Sequence, residues 1–296
     1  MEYVGELFAL LTAVLWSFSS FIFTTVGIRI GTIQLNIYRL LIGSIFLLIT
    51  FLILNIQITA APMQILYLGL SSIIGLVIGD TFLFKGFETI GPRHTLLIMS
   101  INPAIAAIIA FFALNETLGG FAILGMIVTL GGIALVIMDK KQNENSRFKI
   151  TRRGLLYAFI GAAGQGVGII FAKMAFVHGD IHGLVATFIR LAIAAIILFP
   201  ATAILGNIKN PIKMFSKDKK AFGLILIGSV LGPFLGITFS FYAIIYTKIG
   251  IASTLMATIP IIMLPLSVWI YKEKLTWKSI AGAFITVAGV AILFLR

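Results

Sequence analysis

Apolar residues run along this chain in long, nearly unbroken stretches separated by short polar interruptions. Ten such stretches are read, at 7–27, 33–54, 65–86, 95–113, 121–138, 155–177, 184–205, 222–246, 251–271 and 279–295. Most approach the roughly 20 residues a helix needs to cross a bilayer. The runs are continuous rather than short and alternating, which predicts membrane helices and argues against a β-barrel. The longest polar stretch, 139–153 (DKKQNENSRFKITRR), divides five spans from five. The expected organisation is a first five-helix half at 1–138, a basic linker at 139–153 and a second five-helix half at 154–296.

Composition strengthens the membrane reading. Of 296 residues, 60% are hydrophobic and 11% charged, against about 45–50% and about 25% in a soluble domain. The absence of cysteine excludes a disulfide scaffold and thiolate metal sites. Glu2 and Glu6 stand before or within the first apolar run, where a cleaved signal would carry Lys or Arg, so that run is expected to be a retained span. A net charge of +12 would point a soluble protein towards nucleic acid. Here the basic residues sit in short loops, so the expected partner is the lipid bilayer and not nucleic acid. Seventeen of the 22 Lys and Arg fall on the linker's side of the predicted membrane, Lys248 and Arg296 on the other, and Arg39, Lys173 and Arg190 inside spans. By the positive-inside rule the linker is expected in the cytoplasm.

Shifting the chain by 157 residues aligns two long stretches without a gap, pairing Gly75 with Gly232, Gly79 with Gly236, Pro103 with Pro260, Glu116 with Glu273, Gly125 with Gly282 and Gly132 with Gly289. Arg39 and Arg190 align at an offset of 151. Five is odd, so two five-span halves in one chain must face opposite ways. The predicted fold is an all-α membrane protein of ten transmembrane helices, arranged as two inverted five-helix repeats, a plan common among secondary transporters.

The segment GDTFLFKGFETIGPRHTLLIMSINPAIAAIIAFFALNETLGGFAILGMIVTLGGIALVI, and its second copy TIPIIMLPLSVWIYKEKLTWKSIAGAFITVAGVAILF, resemble the EamA repeat of the drug/metabolite transporter superfamily. The shared features are a mid-span Pro (Pro103, Pro260), a Glu in a tight turn (Glu116, Glu273), a Gly-rich last span, and an Arg near the start of each half's second span (Arg39, Arg190). The resemblance covers nearly the whole chain. It implies export or exchange of metabolites, amino acids or drugs, often coupled to protons or a counter-substrate. The halves differ at Asp80, whose counterpart is Ile237.

Asp80 is the one acidic residue well inside a predicted span, and a central Asp costs about 2.5–3.5 kcal/mol on insertion scales. Its expected partner is Arg39, placed at one depth with it by the hairpin that turns near Thr59. Two readings stand open: a structural ion pair, or a carboxylate that couples protons or substrate. Arg190 has no matching acid, and either binds a substrate carboxylate or phosphate or snorkels to the headgroups. Trp16 and Gln165 occupy matching positions in the first span of each half. Each either meets substrate or packs between helices, and the same alternatives hold for Asn102. Pro103 and Pro260 are hinge candidates or static kinks. Glu116 and Glu273 read as turn or capping residues. His178, Asp180 and His182 share a loop, but no metal site is expected, nor any cofactor.

No phosphate-binding loop, HExxH or nucleophile elbow occurs, so an ATP-driven pump and an enzyme are not expected. The function expected is a secondary, non-ATP transporter moving a small-molecule substrate, an amino acid or related compound, by alternating access as an exporter, as a monomer or homodimer. The competing classes are a non-transporting structural or assembly protein, and a lipid-handling protein or channel.

Overall fold

Glycine sets the first turn of the structure. In the computed structural model the first span, Val4–Ile30, is joined to the second, Thr32–Leu54, by Gly31 alone. That residue adopts φ 98°, which a side chain would resist. The structure describes residues 3–113, 117, 119–139, 148–206, 209–247 and 249–294. Glu116, Lys248, Arg296 and the linker's Lys140, Lys141 and Arg147 lie outside these.

Among the described residues the regular structure is all helical, without strands. Eight helices among the described residues are long and apolar enough to cross a membrane, and two shorter apolar ones, Asn102–Phe112 and Trp277–Leu293, complete the ten spans. The third span begins at Pro62–Ser71, widens into a π-helix over Ser72–Gly79 and resumes as Asp80–Met99. Inside that last helix Gly91 turns the chain at φ 79°, with Pro92 opening the fourth span. Proline suits that place because a first-turn N–H has no intrahelical partner to lose. The turn is therefore shorter than the sequence pattern predicts, a single residue in place of a loop. The eighth span repeats the plan: Lys219–Ser229, a π-helix over Val230–Gly236 containing Pro233, then Ile237–Tyr246.

The fourth and ninth spans are broken rather than kinked. The fourth stops at Met99 and restarts with Asn102–Ala113; the ninth runs as Ile249–Met256 and then Ile259–Tyr271. Pro103 and Pro260 each sit in the first turn of the resumed helix. There they remove no intrahelical hydrogen bond, so the lost-bond kink expected of a mid-helix proline does not apply. Short bonds bridge the breaks, from Ile101 N to the Ile98 carbonyl (3.0 Å) and from Thr258 N to the Leu255 carbonyl (3.1 Å).

The halves interlock. The first span of each packs on the third span of the other: Val4–Ile30 against Lys219–Tyr246, and Arg152–Val177 against Pro62–Met99. The second spans, Thr32–Leu54 and Gly183–Ile204, meet around Leu40, Leu47, Leu191 and Leu198. Lipid tails are as apolar as leucine, so close fit rather than water exclusion holds these contacts. Glycines supply the fit. A Cβ on Gly168 would lie 2.9 Å from the Gly75 Cα, and one on Gly164 would lie 2.8 Å from the Gly79 Cα.

The fifth spans, Gly120–Ile137 and Trp277–Leu293, form a seam. A Cβ on Gly132 would meet the Thr286 backbone, and one on Gly289 the Thr129 backbone, both closer than 3.0 Å. Thr129 and Thr286 turn their hydroxyls back into their own helices, to the carbonyls of Gly125 (2.8 Å) and Gly282 (2.7 Å). Their polar atoms are thereby satisfied without water at the seam.

Candidate functional site

The π-helix in the third span decides where Asp80 points. A π-turn takes an extra residue, so the face presented after Gly79 is advanced relative to a straight α-helix. Asp80 N–H bonds back five residues to the Gly75 carbonyl at this junction. The carboxylate that follows is 3% exposed and holds two partners. Its Oδ2 pairs with Arg39 Nη2 of the second span. Its Oδ1 accepts from Gln165 Nε2 of the sixth span at 2.5 Å. One oxygen is thus committed to its own half and the other to the opposite half.

Arg39, itself 7% exposed, is held in place from below and behind. Asn36 Oδ1 accepts from Arg39 Nε (3.2 Å) and Nη2 (3.1 Å), and the guanidinium carbon lies 4.9 Å from the centre of the Phe84 ring. Asn36 in turn donates through Nδ2 to Thr81 Oγ1 and to the Leu76 carbonyl inside the π-helix, each at 3.0 Å. Every polar atom in this chain of contacts therefore lowers the cost of burying the ion pair. Sequence reasoning passed over Asn36. The available signal is its position three residues before Arg39, on one helical face.

The other candidates surround this pair unequally. Gln165 is half-buried and bonds the pair directly through Asp80. Arg190 is half-buried, and its Nη2 would lie 3.4 Å from a Cβ on Gly75, so the guanidinium reaches the middle of the third span and not the headgroups. It stands within the electrostatic reach of both Asp80 and Arg39. Ser72 Oγ donates to the Arg190 carbonyl at 2.6 Å, which fixes the seventh span to the third. Trp16 presses its indole against Gly236, the pseudo-equivalent of the Gly79 that faces the Gln165 backbone. The two matched residues thus face the two π-segments, each across the interface between halves. Asn102 lies beside Gly166 at the break in the fourth span, with its Oδ1 buried and lacking a hydrogen-bond partner.

A second polar cluster lies on the linker side. Arg93, expected in a surface loop, is buried and donates from Nη1 to Glu273 Oε2 at 3.0 Å. Gly91 takes the turn alone, so Arg93 is already inside the fourth span's first turn. Asp139, expected in the solvated linker, is buried and accepts from Thr276 Oγ1, which also caps the tenth span by accepting from Ser279 N. Glu273 thus does more than close a turn: it ties the fourth span to the link between ninth and tenth. Arg29 grips Asp218 through two bonds of 2.7 and 2.8 Å, and this contact holds the half-buried Asp218 carboxyl below its ordinary pKa. Among the described residues no cluster of His, Cys, Asp and Glu is suited to a metal ion.

Comparison with known proteins agrees with this architecture. The sequence model of the EamA-like transporter family matches residues 3–138 and 152–295. The uncharacterized transporter YoaV of Bacillus subtilis (strain 168) is 22% identical over 255 residues, 85% of this chain and 83% of that one. An uncharacterized transporter of Clostridium kluyveri is 24% identical over 143 residues, 48% of this chain. A protein solved by crystallography superposes with a TM-score of 0.68 over 99% of this chain and 96% of its own, at 17% identity, a likeness of fold.

Proposed function

The chain belongs to the EamA-like transporter family, and from that premise we propose that it is a secondary transporter of a small metabolite, worked by alternating access and coupled to protons through Asp80. The two halves, 1–138 and 154–296, are the moving parts, and the basic linker 139–153 lies in the cytoplasm beneath a cell membrane. The cargo class is an amino acid or related compound, moved outward, a preference that rests on the family. Pro103 and Pro260, each in the first turn after a helix break, are the hinges.

The observation that carries the reading is the double commitment of the Asp80 carboxylate. Arg39 holds one oxygen from within the first half, and Gln165 holds the other from the second half. A proton added to either oxygen removes the charge on which the Arg39 pair depends, and on Oδ1 it turns the acceptor of the Gln165 bond into a donor. The bond between halves then weakens, and the halves are free to rock. Substrate binding beside Gln165 and Trp16 would complete the cycle.

The test is uptake and counterflow in proteoliposomes with labelled amino acids, sugars and nucleotides, with and without a pH gradient. Saturable flux of one class is expected, stimulated by the gradient in wild type. Asp80→Asn is expected to lose that stimulation entirely while still exchanging labelled for unlabelled substrate. Gradient stimulation that persists in the variant would sink the coupling role. A second reading follows from the burial of Asp80 and Arg39: the pair is a fixed pin between the second and third spans. On that reading Asp80→Asn melts earlier and transports with unaltered pH dependence.

A further inference from the structure

The centre of the protein holds more positive charge than its own acids neutralise. Arg39 and Arg190 both approach the third span, and Asp80 is the only carboxylate among the described residues there. Its two oxygens are taken by Arg39 and Gln165. Arg190 forms no ion pair among the described residues, and its Nε is buried with no hydrogen-bond partner. A guanidinium carries five N–H donors and cannot shed its proton, so an unpaired one inside a membrane protein is costly. The cost is not evaded by snorkelling, because the side chain lies against Gly75, well inside the third span. A Cβ on Gly75 would lie in ordinary contact with both the Arg190 Nη2 (3.4 Å) and the Gly168 Cα (3.5 Å), which places the guanidinium at the crossing of the third and sixth spans.

Comparing the halves shows what is missing. In the first, an arginine of the second span meets an acid of the third. In the second, the arginine is kept and the acid is replaced by Ile237. We propose that the transported molecule supplies that acid: the substrate bears an anionic group, a carboxylate or a phosphate, that binds the guanidinium of Arg190. The inference rests on the transport reading and narrows its substrate class. A planar carboxylate or a phosphate matches the fork of the guanidinium, and each charge-assisted bond in this water-poor setting is stronger than a neutral one.

The experiment uses the full-length protein in nanodiscs and in proteoliposomes, with probes paired so that one carries an anionic group and its twin a neutral group in the same place. L-amino acids are set against their carboxamides, and glucose 6-phosphate against glucose. Binding is read as ligand-dependent thermal stabilisation, and transport as counterflow. A carboxylate or phosphate member of a pair is expected to bind, with its neutral twin about 10- to 100-fold weaker, the worth of a hydrogen bond to a charged group. The two series separate the two anions. Arg190→Gln is expected to erase the preference, and Arg190→Lys to keep part of it. The melting midpoint without ligand shows whether either variant is folded, and Arg190→Lys carries the test if Arg190→Gln is not. Neutral twins bound as tightly as anions, an anion preference that survives Arg190→Gln, or no anion bound at all would each overturn the inference. Flux of a neutral compound insensitive to Arg190 overturns it while leaving transport standing. Anion binding that depends on Arg190 without any flux upholds the anion site and overturns the transport reading that makes the anion a substrate.

Discussion

Replacing Glu273 with Ala is expected to destabilise the protein by about 3–5 kcal/mol, the largest effect of any single change outside the central site. Arg93 and Glu273 are 5% and 4% exposed, and they join residues 180 positions apart. Removal of the carboxylate takes away the hydrogen-bonded counter-charge of a buried guanidinium, and Arg93 Nη2 already lacks a hydrogen-bond partner in the intact protein. The buried Asp139 is the remaining acid within electrostatic reach of Arg93, and it is already committed to Thr276. The measurement is the unfolding midpoint in detergent or nanodiscs. Buried pairs are costly to break but not always costly to replace, because both ions must first be desolvated. The Arg93→Met, Glu273→Met double variant is therefore expected to recover most of the lost stability. A double variant as unstable as Glu273→Ala alone would mean that the contact is needed for more than charge balance.

Gly289→Val is expected to cost about 1–3 kcal/mol or more, because the seam between the fifth spans has no slack. A Cβ at this position would fall closer than 3.0 Å to backbone atoms of Thr129, and backbone cannot rotate away as a side chain can. Gly132→Val should act alike, since its Cβ would strike the Thr286 backbone. The control lies one residue away. Nothing is within 4 Å of a Cβ on Gly131, so Gly131→Ala is expected to be neutral or stabilising through helix propensity alone. Thermal midpoints of the three variants, measured side by side, separate close packing from propensity. Equal losses at 131 and 132 would show that the seam is looser than its geometry.

The apolar pattern located the ten spans to within a few residues, because membrane helices must satisfy their backbones internally and write their length in composition. The Asp80–Arg39 pair was equally legible. A hairpin turning near Thr59 places both residues at one depth, and a buried acid needs a base. Gln165 as the third member was not legible. Its contact crosses the interface between halves, and the register there depends on the π-helix over Ser72–Gly79, which leaves no periodic trace in an all-apolar run. The breaks at 100–101 and 257–258 were misread as kinks for a related reason. Pro103 and Pro260 announce a disturbed helix, but whether the chain bends or stops is decided by packing. Arg93 and Asp139 were read as surface charges because GPR and DKK resemble loops. Burial came from the one-residue turn at Gly91 and from Thr276 folding over Asp139.

The crossed packing of first and third spans also sets an order of events during synthesis. The third span leaves the ribosome with the grooves at Gly75 and Gly79 empty, and with one Asp80 oxygen unclaimed. The helix that fills both, Arg152–Val177, is made only after two more spans and the linker have followed. Until then the first half sits in lipid with an open groove and an unsatisfied carboxylate oxygen. Every residue between the third span and Arg152–Val177 lengthens that interval, so the length of the linker helps set how soon it closes.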